Sequence, residues 1–271
     1  MAASKNTPSI VLIGDSILDN FQYLNEPRYL SDELKALGFN VHNYAVDGTK
    51  VSNVIDGVVP DDVCQVTRSY PYEVDADGKM RPLALLSKLA NVNKSFPTIY
   101  NTMFSRNDNS SNDNMVVLSV GGNNIKDKLA RIVFGPETFM NSVLSKEFVA
   151  DYERVINAIR SSCPKLVLIS IYLPYLGKGS SYAKYSKLSK PITDLWHDFL
   201  FSIAKKHNIP VLDLNRTFDV NNRDHYGSIE THPSNISSKC MAECLAYIHK
   251  DYSGYKVYFA PNCDAKRIQT D

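Results

Sequence analysis

The stretch Ser9-Ile10-Val11-Leu12-Ile13-Gly14-Asp15-Ser16 decides how the rest of the chain is read. Its apolar residues run on without polar alternation, the pattern of a strand buried on both faces of a sheet. A serine at the carboxyl end of such a strand sits where open α/β sheets bind their ligands, and the glycine before it permits a tight turn that exposes the hydroxyl. Taken alone, a Gly-Asp-Ser triplet is equally an ordinary turn.

Working outward, similar apolar runs recur at Met115–Val120, Leu166–Tyr172 and Val211–Leu214, with a weaker one at Val41–Ala45. Segments of helical period stand between them. Glu147–Ser161 places Phe148, Tyr152, Val155, Ile156 and Ile159 at spacings of three and four, and Pro164 stops it. A second helix is expected from Lys190 to His207 with Pro191 in its first turn, and a third after an N-cap at Ser234, turning Ile236, Met241, Leu245 and Ile248 inward. The alternation predicts an α/β domain with a parallel sheet and helices on both faces. Two stretches break the regularity. Residues 56–114 hold an expected turn at Asp75-Ala76-Asp77-Gly78, a short helix at Leu83–Leu89 and a polar loop at Arg106–Asn114, and form a candidate cap insertion. Gly177–Lys190 reads as a loop of the kind that lines a ligand crevice.

With 271 residues, one domain, 1–271, is expected. The 30 Lys and Arg against 29 Asp and Glu leave a net charge of +1, so no global field draws the chain to nucleic acid. The five cysteines are odd in number and lack a C-x-x-C pair, which argues against a disulfide framework or a zinc ribbon. No metal site is expected from them. The polar N-terminus and the brief run after it suit neither a signal-peptide core nor a membrane span, so no integral membrane association is expected. The compartment expected is the cytoplasm, or the exterior if a leader has been trimmed.

Two further motifs carry chemistry. Gly121-Gly122-Asn123-Asn124 follows the strand from Met115, where glycines allow close backbone approach and an asparagine amide can donate to a developing oxyanion. His232-Pro233-Ser234 precedes the last helix, and imidazole has the near-neutral titration that a general base needs. Each is a common turn or surface feature by itself. Their order is what carries information: Gly14-Asp15-Ser16-Ile17, Gly48 within Val46-Asp47-Gly48-Thr49, Gly121 to Asn124, then His232. In this the chain resembles the SGNH/GDSL hydrolases over nearly its whole length.

The resemblance implies a three-layer α/β/α sandwich around a parallel, flavodoxin-like sheet. It implies Ser16 as nucleophile, His232 as base, and an oxyanion hole from the Ser16 N–H, the Gly48 N–H and the Asn123 side chain, with no metal and no organic cofactor. The reaction implied is hydrolysis of a small acyl ester, esterase or O-acetylesterase, through an acyl-enzyme, with a small-molecule, carbohydrate or lipid ester as substrate. An acyltransferase using the same residues and a binding protein of low or no turnover are the alternatives. The tyrosines at 70, 72, 175, 182 and 185 suit sugars and acyl chains equally. The chain departs from the family pattern where Asn124 replaces an aspartate and where Ile229 stands at the position of the orienting acid. Glu230 is the favoured substitute for that acid, ahead of a backbone carbonyl near Ile229 and of the more distant Asp224.

Overall fold

The computed structural model describes residues 7–19, 29–56, 72–74, 80–82, 113–128 and 135–271. In chain order the elements are β1 (Ser9–Gly14), α1 (Leu30–Ala36), β2 (Asn40–Asn43), α2 (Val51–Asp56), β3 (Tyr72–Val74), β4 (Met80–Pro82), β5 (Met115–Ser119) and α3 (Gly122–Lys128). There follow α4 (Pro136–Val143), α5 (Lys146–Ser162), β6 (Lys165–Ile169), α6 (Ser186–Lys206), β7 (Val211–Leu212), α7 (Leu214–Thr217), α8 (Asn235–Asp251), β8 (Val257–Phe259) and β9 (Gln269–Thr270).

Seven strands form one sheet in the order β2-β1-β5-β6-β7-β8-β9, parallel throughout except for the antiparallel β8–β9 pair. The first five strands follow the doubly wound 2-1-3-4-5 pattern, whose ligand crevice lies beyond the strand carboxyl ends. Alternate residues of each strand go to opposite faces. Val11, Ile13, Val116, Leu118, Leu166 and Leu168 join one core with α2, α4, α5 and α6. Ile10, Leu12, Met115, Val117, Val167 and Ile169 join the other with α1 and α8. That division is why these strands carry no polar alternation. The sheet with helices on both faces is the three-layer α/β/α architecture expected.

Two local expectations are corrected. The helix expected from Lys190 begins at Ser186, so Pro191 is its sixth residue and lies inside it. Proline has no N–H to give the Lys187 carbonyl, but one lost bond is outweighed by the burial of Ile192, Trp196, Leu200 and Ile203 along the rest of the helix. Ile236 is 52% exposed. The buried stripe of α8 runs through Ser237, Ser238, Met241, Cys244, Leu245 and Ile248, and Ile236 lies off that period. Ser16 and Ile17 open a turn, with the Leu18 and Asp19 N–H groups both bonded to the Asp15 carbonyl. The short strands β8 and β9 add to the sheet beyond the runs expected from the sequence.

The candidate cap falls largely outside the described residues, as do the turn at 75–78, the helix at 83–89 and most of the loop at 106–114. Within the candidate cap, β3 and β4 pair antiparallel, Val74 with Met80. At its end Asn114 is buried, and its side chain accepts from the Ser9 N–H at 3.2 Å.

Candidate active site

Ser16 is placed by the contact between β1 and β5. Gly14 has φ +142°, and a Cβ there would collide with the Ser119 carbonyl opposite it, so only glycine lets the two strand ends close up. The Asp15 N–H then bonds the Ser119 carbonyl at 2.9 Å. The Asp15 carboxylate turns inward, accepting from the Ile17 N–H at 3.1 Å and the Ser119 hydroxyl at 3.0 Å. Burial pushes this carboxyl up to about 7 against those two bonds, and the Asp47 charge adds to the rise. With Asp15 folded under, Ser16 is left at the carboxyl edge of the sheet.

His232 arrives on a loop between α7 and α8. Tyr226 and Pro233 form an antiparallel bridge, the Gly227 N–H bonds the His232 carbonyl at 2.8 Å, and the His232 N–H bonds the Ile229 carbonyl at 3.1 Å. Two tyrosine hydroxyls fasten this loop to the chain leaving β6: Tyr226 donates to the Leu173 carbonyl at 3.0 Å and Tyr172 to the Thr231 carbonyl at 2.9 Å. Tyr172 stacks edge-on against Phe218 with ring centroids 4.7 Å apart. So held, the ring places His232 Nε2 3.0 Å from Ser16 Oγ and Nδ1 3.0 Å from Thr231 Oγ1. Burial pushes the imidazole down to about 4; the Asp47 charge opposes this and the Lys126 charge reinforces it. The ring is therefore neutral at pH 7, the state a base requires.

Gly48 is buried at φ +82° on the segment after β2, which is tied to β1 where the Val46 N–H bonds the Gly14 carbonyl at 2.8 Å. Neither the Gly48 N–H nor the Ser16 N–H has an acceptor among the described residues. The Asn123 amide gives one hydrogen to the Thr49 carbonyl at 3.1 Å, which binds this motif to the Gly48 segment; the second hydrogen has no acceptor among the described residues. Asn124 points elsewhere. Its side-chain oxygen accepts from the Val51 N–H at 3.2 Å, at the start of α2, a bond an asparagine makes as well as an aspartate. Asn124 is thus a cap.

Glu230 is not at the ring. Its carboxylate accepts from the Ser181 hydroxyl at 2.8 Å, the Ser181 N–H at 3.1 Å and the Ser180 hydroxyl at 3.2 Å, while its backbone carbonyl accepts from the Tyr175 N–H at 2.8 Å. Burial works against this carboxylate, but the serine donors and the Arg223 charge outweigh it and hold its pKa below the ordinary glutamate value. Spaced two residues before the histidine, the side chain leaves the loop on the side of the Gly177–Tyr182 segment and latches it. Ile229, at the family's acid position, is 43% exposed. Asp224 is exposed, and its carbonyl accepts from the Ser234 hydroxyl. Thr231, Tyr172, Asp47 and Lys126 join the site without having been candidates on sequence grounds. Only Thr231 and Asp47 carry a signal there, each adjoining a motif residue.

Among the described residues no group of His, Cys, Asp and Glu side chains could hold a metal ion, and no helix is long and apolar enough to cross a membrane. Of the other histidines, His197 and His249 are buried with Nε2 on the carbonyls of Ile171 and Asp113.

Beyond the carboxyl edge of the parallel sheet a serine and a histidine are thus in contact. The family model for GDSL-like lipase/acylhydrolase proteins matches residues 12–237, and the chain belongs to that family. Among solved structures it is similar to the lipase Lip_vut3 from a goat rumen metagenome, at 15% identity over 89% of this chain and 97% of that one, with a TM-score of 0.53. It is also similar to a GDSL-like lipase from Bacteroides thetaiotaomicron, at 11% identity over 93% of each chain with a TM-score of 0.48. An extracellular lipase from Streptomyces rimosus is 15% identical over 85% of this chain and 94% of that one, with a TM-score of 0.49. No curated protein matches the sequence.

Proposed function

We propose that the chain is a serine ester hydrolase that cleaves small acyl esters through an acyl-enzyme on Ser16. The observation that carries this reading is the 3.0 Å contact between Ser16 Oγ and His232 Nε2, together with the Ser16 and Gly48 N–H groups that have no acceptor among the described residues. In the first half-reaction Ser16 Oγ attacks the acyl carbonyl carbon while Nε2 takes the hydroxyl proton. The carbonyl oxygen becomes an oxyanion, and the Ser16 and Gly48 N–H groups with the second Asn123 amide hydrogen are its donors. Nε2–H then protonates the departing alkoxide, releasing the alcohol. Water attacks the acyl-enzyme with its proton going to Nε2, and the collapsing adduct releases the carboxylic acid and restores Ser16.

A fluorophosphonate probe and p-nitrophenyl acetate test this. Labelling should map to Ser16, and Ser16→Ala and His232→Ala should each lower kcat by about a thousandfold or more without adding when combined. Near-parental hydrolysis by Ser16→Ala would refute the reading. A second reading, ligand binding with little turnover, is favoured by the exposed Ile229 at the family's acid position. It is distinguished by parental protein that binds esters but neither labels nor hydrolyses.

A further inference from the structure

The family pattern asks for an acid to orient the histidine, and in this chain Ile229 is exposed while Glu230 is engaged with Ser180 and Ser181. We propose that the Thr231 hydroxyl is the group that positions His232, accepting the Nδ1–H bond that a carboxylate would otherwise take. This rests on the reading of Ser16 and His232 as nucleophile and base.

Three observations place Thr231 in that role. Its Oγ1 lies 3.0 Å from His232 Nδ1, on the ring nitrogen opposite the one that meets Ser16. For Nε2 to accept the Ser16 proton, Nδ1 must carry the ring's own hydrogen, and that hydrogen points at Thr231 Oγ1. The residue is also held from behind, because the hydroxyl of Tyr172 donates to the Thr231 carbonyl at 2.9 Å. Tyr172 is in turn packed against Phe218 and Tyr226. An oxygen on a braced residue next to the histidine is a fixed acceptor, as an orienting group must be.

A hydroxyl differs from a carboxylate in two ways that matter here. It brings no charge to the ring; among the described residues the acidic charge acting on His232 is that of Asp47. It can also donate as well as accept, so it selects the productive tautomer less stringently than an acid would. Thr231 is accordingly a positioning residue, acting on the substrate only through His232.

The test compares Thr231→Val, which keeps the shape and removes the hydroxyl, with Thr231→Ser, which keeps the hydroxyl. On p-nitrophenyl acetate the valine variant should lose about tenfold in kcat with little change in KM, and the serine variant should recover to within about threefold of the parent. Nitrogen-15 spectroscopy of the His232 ring supplies a readout independent of turnover: the parent and the serine variant should show the Nδ1–H tautomer, and the valine variant a mixture. Circular dichroism establishes that all three are folded. Parental kcat and an unchanged tautomer in folded Thr231→Val would overturn the proposal, as would equal losses in the valine and serine variants. If that happened while Ser16→Ala stayed inactive, the esterase reading would stand without Thr231. Activity surviving in Ser16→Ala would overturn both.

Discussion

Replacing Asp15 with asparagine should make the protein more stable at alkaline pH, by an amount the burial of this side chain sets. Asp15 is 3% exposed, and its Oδ1 accepts from the Ile17 N–H and the Ser119 hydroxyl. Those two bonds do not compensate for lost hydration, and the carboxyl titrates at about 7 rather than at 3.8. Between those two pH values the unfolded chain has released the proton and the folded chain still holds it. The folded state then binds more protons than the unfolded state, so stability falls as pH rises through this window. A span of about three pH units at roughly 1.4 kcal/mol each corresponds to about 4 kcal/mol lost between pH 4 and pH 8. Asparagine keeps the Oδ1 acceptor and carries no charge, so Asp15→Asn removes this slope. Urea unfolding of parent and variant, followed by circular dichroism from pH 4 to pH 8.5, measures the difference directly. The variant should gain steadily on the parent above pH 4, reaching an advantage at pH 8 equivalent to roughly 10 °C in Tm. A parent-to-variant difference that stays flat over that range would refute the assignment of a raised pKa to Asp15.

Three other outcomes are expected. Asn123→Ala should lower kcat by about a hundredfold with KM little changed, while Asn124→Ala should spare kcat and lower thermal stability by the loss of the Val51 cap; equal kcat losses at both would contradict the division of labour between them. The pH profile of kcat/KM should show activity held from pH 8 to below pH 6 and lost only as pH falls toward 4, because the base works when neutral and burial depresses its pKa; an acid limb centred near 6.5 would show an unperturbed imidazole. Glu230→Gln should leave kcat within about fivefold of the parent, the change falling on KM and on proteolysis near Gly177–Tyr182; a hundredfold fall in kcat alone would return Glu230 to the ring.

The sheet is legible in the sequence because its central strands are buried on both faces, and that burial requires unbroken apolar runs such as Ile10–Ile13 and Val116–Leu118. Three-residue β8 and two-residue β9 are too short to show any period, and they exist because Tyr258 and Phe259 find partners in Thr270 and Gln269. Ile236 is a hydrophobic residue in the first turn of α8, yet the helix turns Ser237 and Ser238 inward there, so hydrophobicity alone misassigns its face. Ser16, Gly48, Asn123 and His232 can be named as candidates from the sequence because each sits near a strand end or helix start that the pattern marks. The partner of His232 is not. A residue two positions from another in a loop is placed by turn geometry, here the bridge at Tyr226 and Pro233, and spacing alone does not say that Glu230 faces Ser181.

The chain contains one tryptophan, and it lies beneath the Gly121-Gly122 turn. Gly121 has φ +115°, and a Cβ there would collide with the Trp196 ring, so turn and indole are in direct contact. The indole is fully buried among Phe148, Tyr152 and Phe199, and its N–H has no hydrogen-bond partner among the described residues. The molecule therefore carries its own lamp under the loop that presents Asn123. Its emission should be blue-shifted in the native state and should redden when that turn loosens. Intrinsic fluorescence, which needs no label and no substrate, can follow the ordering of this turn while the bulk of the fold is still intact.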